Sequence, residues 1–282
     1  MTKAFELQGH RGARGLFAEN TIDGFLAAIA LGVSSLELDV GVSRDGVVVI
    51  NHDFALNPDI ARGSDGRWLS EHAAQPPLIR SLTLAELRRF DVGRIRPGSE
   101  LFRRHPGQCG ADGVRVATLA ELVEATAASG MALDVELKTD SGRPDDSAAP
   151  EAMAEAVLAA AHPALARLTI RSFDWRGPVW LRHRAPDVKL AWLSQGQTDP
   201  AAVLAASHGR GTWAPAWADL SQAALRAAQA GGLRVVPWTV NDPVEMRRLI
   251  DWGVDGLCTD RPDLARAAMK SHGLMPPPGN SP

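Results

Sequence analysis

The sequence predicts an α/β protein of the TIM (β/α)8 barrel class. Short strand-like runs alternate with amphipathic helical runs along almost all of the 282 residues, which is typical of parallel β/α architecture. We count eight such β/α units, and eight is the number that closes a barrel. The main alternative is an open doubly wound sheet, but no glycine-rich nucleotide fingerprint follows the first strand.

The first unit begins with a short strand at residues 7–10. The next run has apolar residues at i, i+3, i+4 and i+7, one stripe of a helix, at Ile22, Phe25, Leu26 and Ile29. We expect Asn20 to cap this helix at its N-terminus and Gly32 to end it.

The second unit is a strand that continues into a small hairpin. Residues 35–42 and 47–51 are β-rich, and the Asp45-Gly46 pair between them suits a tight turn. Regular alternation then lapses over residues 54–115, which are rich in Pro, Gly and Arg and include one predicted helix over 83–90. We interpret this stretch as an insertion over one end of the barrel, after the second strand region.

The other units follow a second helix start, where Thr118 and Glu121 have capping-box spacing. Further strands are predicted over residues 132–137, 168–173, 189–193, 212–216, 234–239 and 256–259. A single catalytic barrel domain is therefore predicted over residues 1–270, including the insertion. The proline-rich residues 271–282 are predicted to form a disordered tail.

Composition excludes several classes of protein. The net charge of −3, from 30 basic and 33 acidic residues that are interspersed, offers no broad attraction to nucleic acid. The N-terminal residues lack the apolar stretch of a secretory signal, and no run approaches about 18 apolar residues. We therefore expect a cytoplasmic protein without membrane insertion. Cys109 and Cys258 are far apart, so neither a disulfide framework nor a thiolate zinc site is indicated.

Carboxylates occur on two neighbouring predicted strands, where barrel enzymes build their sites. Residues two apart on a strand share a face, so Glu37 and Asp39 project together, and so do Glu136 and Lys138. Three carboxylates on inward faces would be costly to bury without a cation. An all-oxygen set favours a hard divalent ion, Mg²⁺, Ca²⁺ or Mn²⁺, over zinc. The alternative is a salt-bridged barrel interior.

Two histidines and two cations complete the predicted site. His10 ends the first strand and His52 ends the hairpin, and unperturbed imidazoles titrate near pH 6.5, which suits acid–base catalysis at neutral pH. Arg11 can bind phosphate oxygens with its planar guanidinium, and Lys138 adds a second positive charge. An acid–base pair around a metal-bound phosphate indicates a phosphodiesterase, with His10 and His52 as catalytic residues.

The same residues lie in an ordered series of motifs from the first strand to the last. They read Gly9-His10-Arg11-Gly12-Ala13, Glu19-Asn20-Thr21, Glu37-Leu38-Asp39-Val40, His52-Asp53, Glu136-Leu137-Lys138, Ser172-Phe173, Trp238-Thr239-Val240-Asn241 and Asp255-Gly256-Leu257-Cys258-Thr259-Asp260-Arg261-Pro262. In this order they resemble the glycerophosphodiester phosphodiesterase (GDPD) family of hydrolases.

The resemblance implies a TIM barrel in which His10 and His52 are acid and base. The carboxylates of Glu37, Asp39 and Glu136 would hold a divalent metal, and Arg11 and Lys138 would contact phosphate. The substrate would be a small-molecule glycerophosphodiester, and the products would be glycerol 3-phosphate and an alcohol. In this family the insertion lies over the active site and helps to select substrate.

One departure from the family pattern falls beside the predicted site. Proline usually precedes Glu-Asn-Thr, and Ala18 stands there in this chain, which we expect to loosen the loop without removing a catalytic group. Among the tryptophans near late strand ends, Trp238 is a candidate for substrate binding, with core packing as the alternative. Asp260 is interpreted as shaping the last loop.

Other functions on the same barrel remain open from the sequence. A lysophospholipase D-like phosphodiesterase would use the same histidines and metal, but no amphipathic membrane-binding helix is visible. A non-catalytic phosphoester-binding protein would be favoured by loss of a histidine or ligand, and none is lost. The adjacent His10 and Arg11 on the first strand, together with His52, argue against a metal-dependent aldolase or enolase-like enzyme.

Overall fold

The structure, a computed structural model, describes residues 5–72 and 75–274. Within these ranges the β-strands are β1 (Glu6–His10), β2 (Ser35–Val42), β3 (Val48–Ile50), β4 (Ala132–Leu137), β5 (Leu168–Ser172), β6 (Lys189–Ser194), β7 (Thr212–Pro215), β8 (Arg234–Val235) and β9 (Gly256–Thr259). The α-helices are α1 (Ile22–Ala30), α2 (Leu84–Leu87), α3 (Glu100–Arg104), α4 (Leu119–Ala125), α5 (Pro150–Ala160), α6 (Arg176–Arg184), α7 (Pro200–Ser207), α8 (Gln222–Ala230), α9 (Pro243–Trp252) and α10 (Pro262–Ser271).

All strands except β3 form a parallel barrel, in the spatial order β8-β7-β6-β5-β4-β2-β1-β9. The segment after β8 closes the ring, because the Asp255 N–H donates to the Val235 carbonyl at 2.8 Å and the Cys258 N–H to the Pro237 carbonyl at 3.0 Å. The predicted TIM barrel is confirmed. The strand predicted over 234–239 is shorter than expected since Pro237 has no N–H to donate.

The insertion packs against the hairpin. Strand β3 pairs antiparallel with β2, with Val40 opposite Ile50. The insertion builds its own small apolar cluster, which includes Val49, Leu56, Ile79 and Leu87. Helix α2 begins with a capping box formed by Thr83 and Glu86, and it ends at Leu87, short of the expected residue 90.

The barrel strands alternate between an apolar outer face and a polar inner face. Leu36, Leu38 and Val40 on β2 are fully buried in the main core, which lies between the strands and the surrounding helices. The residues between them, Glu37 and Asp39, lie on the opposite face because side chains alternate along a strand. This alternation directs the carboxylates into the barrel and leaves the helices to pack on aliphatic side chains.

A polar network fills the barrel below the site. The Gln8 amide donates to Asp134 at 2.6 Å, and Arg171 donates to the Gln8 carbonyl at 3.1 Å. Arg171 is 1% exposed and lies 3.4 Å from Asp134. Burial raises the pKa of Asp134 to about 6, although the Arg171 charge opposes this change. The interior of the barrel is therefore held together by polar contacts as well as by apolar packing.

The prediction for the cap of α1 is wrong by one residue. Thr21 is the cap, since its hydroxyl accepts from the Gly24 N–H at 3.1 Å. Asn20 has a positive φ of 55° and donates its side-chain amide to Asp39 at 3.0 Å. An asparagine tolerates this left-handed conformation better than most residues do. Its amide therefore serves the site rather than the helix. Gly32 follows the helix as expected, with φ 78°.

The C-terminal helix α10 runs through Ser271, and Leu274 packs against the main core. Residues 275–282 of the predicted tail lie outside the described residues. Among the residues that the structure describes, no helix has both the length and the apolarity needed to cross a bilayer.

Candidate active site

A cavity of about 310 Å³ opens at the carboxyl ends of the barrel strands. Predicted site residues line it: His10, Arg11, Glu37, His52, Glu136, Lys138 and Trp238. The remaining predicted residue, Asp39, is fully buried beside the cavity. The fold therefore brings together side chains from five strands, β1, β2, β3, β4 and β8, and from the loops after them.

A tight turn after β1 sets the position of Arg11. Gly9 cannot carry a side chain, because a Cβ atom there would lie 2.4 Å from the Gly12 carbonyl oxygen. Arg11 has a φ of 51°, an uncommon conformation that costs an L-residue about 1 kcal/mol. The turn directs the Arg11 N–H to a Glu37 carboxylate oxygen at 3.1 Å. Backbone strain in this loop is thus offset by a contact within the site.

The three predicted metal-binding carboxylates form a compact buried cluster. Each of Glu37, Asp39 and Glu136 offers an oxygen within 4.8 Å of the others. Asp39 and Glu136 are direct neighbours across the β2–β4 ladder, which explains why strand pairing alone brings them together. Lys138 Nζ lies 2.6 Å from Glu136 and 2.9 Å from Asp39.

The electrostatics of this cluster fit a hard divalent cation. Burial and the adjacent Asp39 raise the pKa of Glu37 to about 8, so this carboxyl group holds a proton at neutral pH when no cation is bound. Burial also opposes ionisation of Asp39, but Lys138 outweighs it and the Asp39 pKa lies below its usual range. A further positive charge would stabilise the ionised form of Glu37. Clustered oxygen donors are the ligands that Mg²⁺, Ca²⁺ and Mn²⁺ prefer.

His10 is buried and held by a carboxylate from the last strand. Its Nδ1 lies 2.5 Å from Asp260 Oδ1. The pKa of Asp260 is lowered despite its burial, because His10 and Arg14 favour the charged form. An ionised carboxylate can only accept, so Nδ1 carries the proton and Nε2 has a free lone pair. Burial lowers the pKa of His10 to about 4, against the attraction of Asp260.

Asp260 is a site residue that the sequence interpretation missed, since we assigned it to shaping a loop. It accepts from Arg14 Nε at 2.8 Å and from the Asn241 amide at 2.7 Å, in addition to His10. Asn241 in turn accepts from the Asp260 N–H at 2.9 Å. A signal was present, because Asp260 directly follows a strand end, as do the other site residues.

His52 is arranged similarly at the rim of the cavity. Its Nδ1 lies 2.6 Å from Asp53 Oδ1, and the Asn57 amide donates to the other oxygen of Asp53 at 3.0 Å. One third of the His52 side chain is exposed, whereas His10 is 7% exposed. The site thus contains two carboxylate-oriented imidazoles, one deep in the barrel and one near solvent.

The predicted phosphate and substrate contacts are placed around the same cavity. Arg11 donates to Glu19 at 3.0 Å, and its Nε lies 3.3 Å from Asp39. Trp238 stands edge-on to Phe173 with ring centroids 5.2 Å apart. Trp192 and Trp213 are instead buried in the core. Binding roles for Arg11, Lys138 and Trp238 stay predictions.

Ala18 tethers the first loop to the insertion. Its N–H donates to the Cys109 carbonyl at 3.1 Å, a bond that proline at this position would prevent. Its carbonyl accepts from the Thr21 hydroxyl at 2.8 Å. The expected loosening of the loop is therefore countered by the Ala18–Cys109 hydrogen bond, which a proline could not form because it has no backbone N–H.

We expect Asp260→Asn to lower kcat by about 10²-fold with little change in KM, because an asparagine amide can donate to Nδ1 and favour the wrong tautomer of His10. Steady-state kinetics and thermal unfolding would be measured beside Asp187→Asn, which removes an exposed carboxylate far from the cavity. A change in KM alone, or an equal loss of kcat in Asp260→Asn and Asp187→Asn, would contradict a positioning role for Asp260.

Comparisons with known proteins agree with this geometry. Residues 10–264 match the model of the glycerophosphoryl diester phosphodiesterase family. A glycerophosphodiester phosphodiesterase from Bacillus subtilis is 27% identical over 273 residues, covering 93% of this chain and 86% of that protein. One from Caldanaerobacter subterraneus is also 27% identical, over 90% of this chain and 93% of that protein.

Solved structures show the same architecture. A putative glycerophosphoryl diester phosphodiesterase from Silicibacter pomeroyi superposes with a TM-score of 0.89 and 34% identity, over 97% of this chain and 96% of that one. An Oleispira antarctica phosphodiesterase, solved in complex with its product sn-glycerol-3-phosphate, has a TM-score of 0.76 and 22% identity, over 95% and 97% of the two chains. The chain is a phosphodiesterase and belongs to the glycerophosphoryl diester phosphodiesterase family.

Proposed function

We propose that the enzyme hydrolyses glycerophosphodiesters to glycerol 3-phosphate and an alcohol, with a divalent metal and with His10 and His52 as the proton-transfer groups. The observation that carries the proposal is the cavity in which two carboxylate-oriented imidazoles face one cluster of three buried carboxylates. The product bound to the Oleispira antarctica phosphodiesterase supports glycerol 3-phosphate as the product here.

Glu37, Asp39 and Glu136 are the residues that would hold the metal. When bound, a divalent cation supplies charge stabilisation at a phosphoryl oxygen, worth several kcal/mol in the transition state. The Lys138 and Arg11 side chains already contact these carboxylates. Their positive charges therefore lie where phosphate oxygens would approach the cluster. Their part is to bind and orient the phosphate.

The surroundings of the two histidines suggest different roles. His10 is buried and neutral at Nε2, so it is suited to accept the proton of the attacking hydroxyl. His52 lies at the rim and also lines a larger groove outside the cavity, so it is suited to protonate the departing alcohol. Each such group contributes about 10²- to 10⁴-fold in rate.

The role of His10 predicts the shape of the acid limb of the pH profile. A general base works in its neutral form, which is lost as pH falls through its pKa, and burial lowers that pKa to about 4. With saturating metal, kcat/KM should therefore stay level on the acid side down to about pH 5. A fall centred between about pH 6 and 7 on that side, where an ordinary histidine titrates, would contradict this assignment.

The proposed function is tested by incubating the protein with a panel of glycerophosphodiesters and lysophospholipids, with and without excess chelator. Release of glycerol 3-phosphate from the glycerophosphodiesters, abolished by chelator and restored by added metal, is the expected result. Faster release of a head group from lysophospholipids would instead favour the lysophospholipase D-like activity. Full turnover in chelator would overturn the metal requirement.

A further inference from the structure

A second, larger depression adjoins the catalytic cavity on the side of β4 and β5. It has a volume of about 620 Å³ and shares His52, Glu136, Lys138 and Phe173 with the cavity. We call it the outer groove. Its walls come from the loops after β3, β4 and β5. His52, the group proposed to protonate the departing alcohol, lies at the boundary, so the outer groove is the space next to that alcohol.

We propose that the outer groove binds the departing alcohol and selects alcohols that carry an ammonium group. This inference rests on the proposed function and adds the class of head group. The groove supplies two features that suit a positively charged alcohol, an exposed carboxylate without an ion-pair contact and aromatic ring faces.

The carboxylate is Asp140, which is exposed on the loop after β4 and lines the groove. It attracts the Arg176 guanidinium, but that guanidinium is in direct contact with Asp174 instead. Asp140 accepts the Gly142 N–H at 2.8 Å, and among residues 5–72 and 75–274 it makes no ion pair. The cations of the groove are already engaged by carboxylates. Lys138 contacts Asp39 and Glu136, and Arg143 pairs with Asp146. The residual charge that a ligand meets is therefore negative.

The aromatic surface consists of Phe54 and Phe173. The Phe173 side chain is 41% exposed at the junction with the cavity. The Phe54 ring already has a cation on its face, since the Arg143 guanidinium carbon lies 4.9 Å from the ring centroid. Arg143 is more than half exposed, so its side chain can move into solvent and give up this position. A ligand ammonium group would be attracted to the same ring face.

The groove therefore differs from a site for a neutral polyol or an anionic alcohol. A polyol would need several fixed donors and acceptors, and an anionic alcohol would need a free cation in the walls. The two basic side chains of the walls, Lys138 and Arg143, are outnumbered by the carboxylates that line the groove, which are Asp53, Glu136, Asp140 and Asp174. An ammonium group would be stabilised both by the Asp140 carboxylate and by the faces of the phenyl rings.

The test compares kcat/KM for glycerophosphocholine and glycerophosphoglycerol, whose head groups are cationic and neutral. The wild-type kcat/KM for the choline ester should exceed that for the neutral ester about tenfold. A cation–π contact and an exposed charge contact together contribute roughly the free energy that corresponds to a tenfold change. Asp140→Asn should lower the ratio of the two values about threefold, because it removes the carboxylate that faces the ammonium group.

Two further variants make the test specific. Asp145→Asn removes the same charge from the same loop at an exposed position outside the groove, so it should keep the wild-type ratio. Arg143→Gln frees the Phe54 face and removes a positive charge, so it should raise kcat/KM for the choline ester about threefold. Damage to the fold would instead lower kcat/KM for both substrates by the same factor.

Failure of this inference is distinguishable from failure of the proposed function. Equal kcat/KM for the two substrates, or a lower value for the choline ester in Arg143→Gln, would overturn the head-group inference and leave the hydrolysis intact. No release of glycerol 3-phosphate from either substrate in the presence of metal would overturn the proposed function itself.

Discussion

Replacement of His10 by alanine should lower kcat by about 10³-fold or more, because it removes the buried imidazole that faces both the carboxylate cluster and the cavity. The loss should fall on kcat rather than on KM, since His10 is assigned to proton transfer and not to substrate binding. Asp260 would keep its contacts with Arg14 and Asn241, so the last loop should stay folded.

The experiment is steady-state kinetics with saturating metal, together with thermal unfolding to verify the fold. His183→Ala is the matched control, because this histidine is exposed on α6 and lies far from the site. The control should retain wild-type kinetics. Turnover by the His10 variant within tenfold of wild type would exclude His10 as a catalytic residue.

Glu37→Gln should lower kcat by about 10³-fold. A bound metal supplies several kcal/mol of charge stabilisation in the transition state, which corresponds to about three factors of ten in rate. The pKa of Glu37 is raised to about 8 by burial and by Asp39, so the metal-free protein already carries this side chain uncharged at neutral pH. The substitution should therefore preserve the thermal stability of the metal-free protein.

Metal binding provides a readout that does not depend on activity. A cation that binds only the folded state raises its Tm. Wild-type protein should show such a rise on addition of Mg²⁺, Ca²⁺ or Mn²⁺, and Glu37→Gln should show little or none. Glu155→Gln, on the exposed face of α5, serves as the control. An equal metal-induced rise in Glu37→Gln would remove Glu37 from the set of proposed ligands.

The parts of the site that follow from local sequence were predictable. Strand periodicity placed Glu37 and Asp39 on one face, and parallel pairing then brought Glu136 beside Asp39. The fold class followed from the number of β/α units, which the barrel of eight parallel strands confirms. These inferences depend only on the alternation of side chains and on the geometry of a parallel sheet.

Contacts that depend on closure of the ring were not predictable in the same way. His10 and Asp260 are 250 residues apart and meet only because the first and last strands pair. The outer groove depends on the conformations of three loops, which carry no periodic signal. Hydropathy also did not separate Trp238, at the cavity, from Trp192, in the core.

The polar network inside the barrel has a consequence for how this enzyme can change over evolution. Gln8, Asp134 and Arg171 depend on one another for hydrogen bonds and charge compensation in a space that water does not reach freely. Loss of one member of a buried ion pair typically costs 3–5 kcal/mol, which is a large part of a domain's stability. Descendants of this sequence would therefore have to substitute these three residues together. We expect substitutions in the barrel interior to be coupled in this way, whereas substitutions in the surface loops should occur independently of one another.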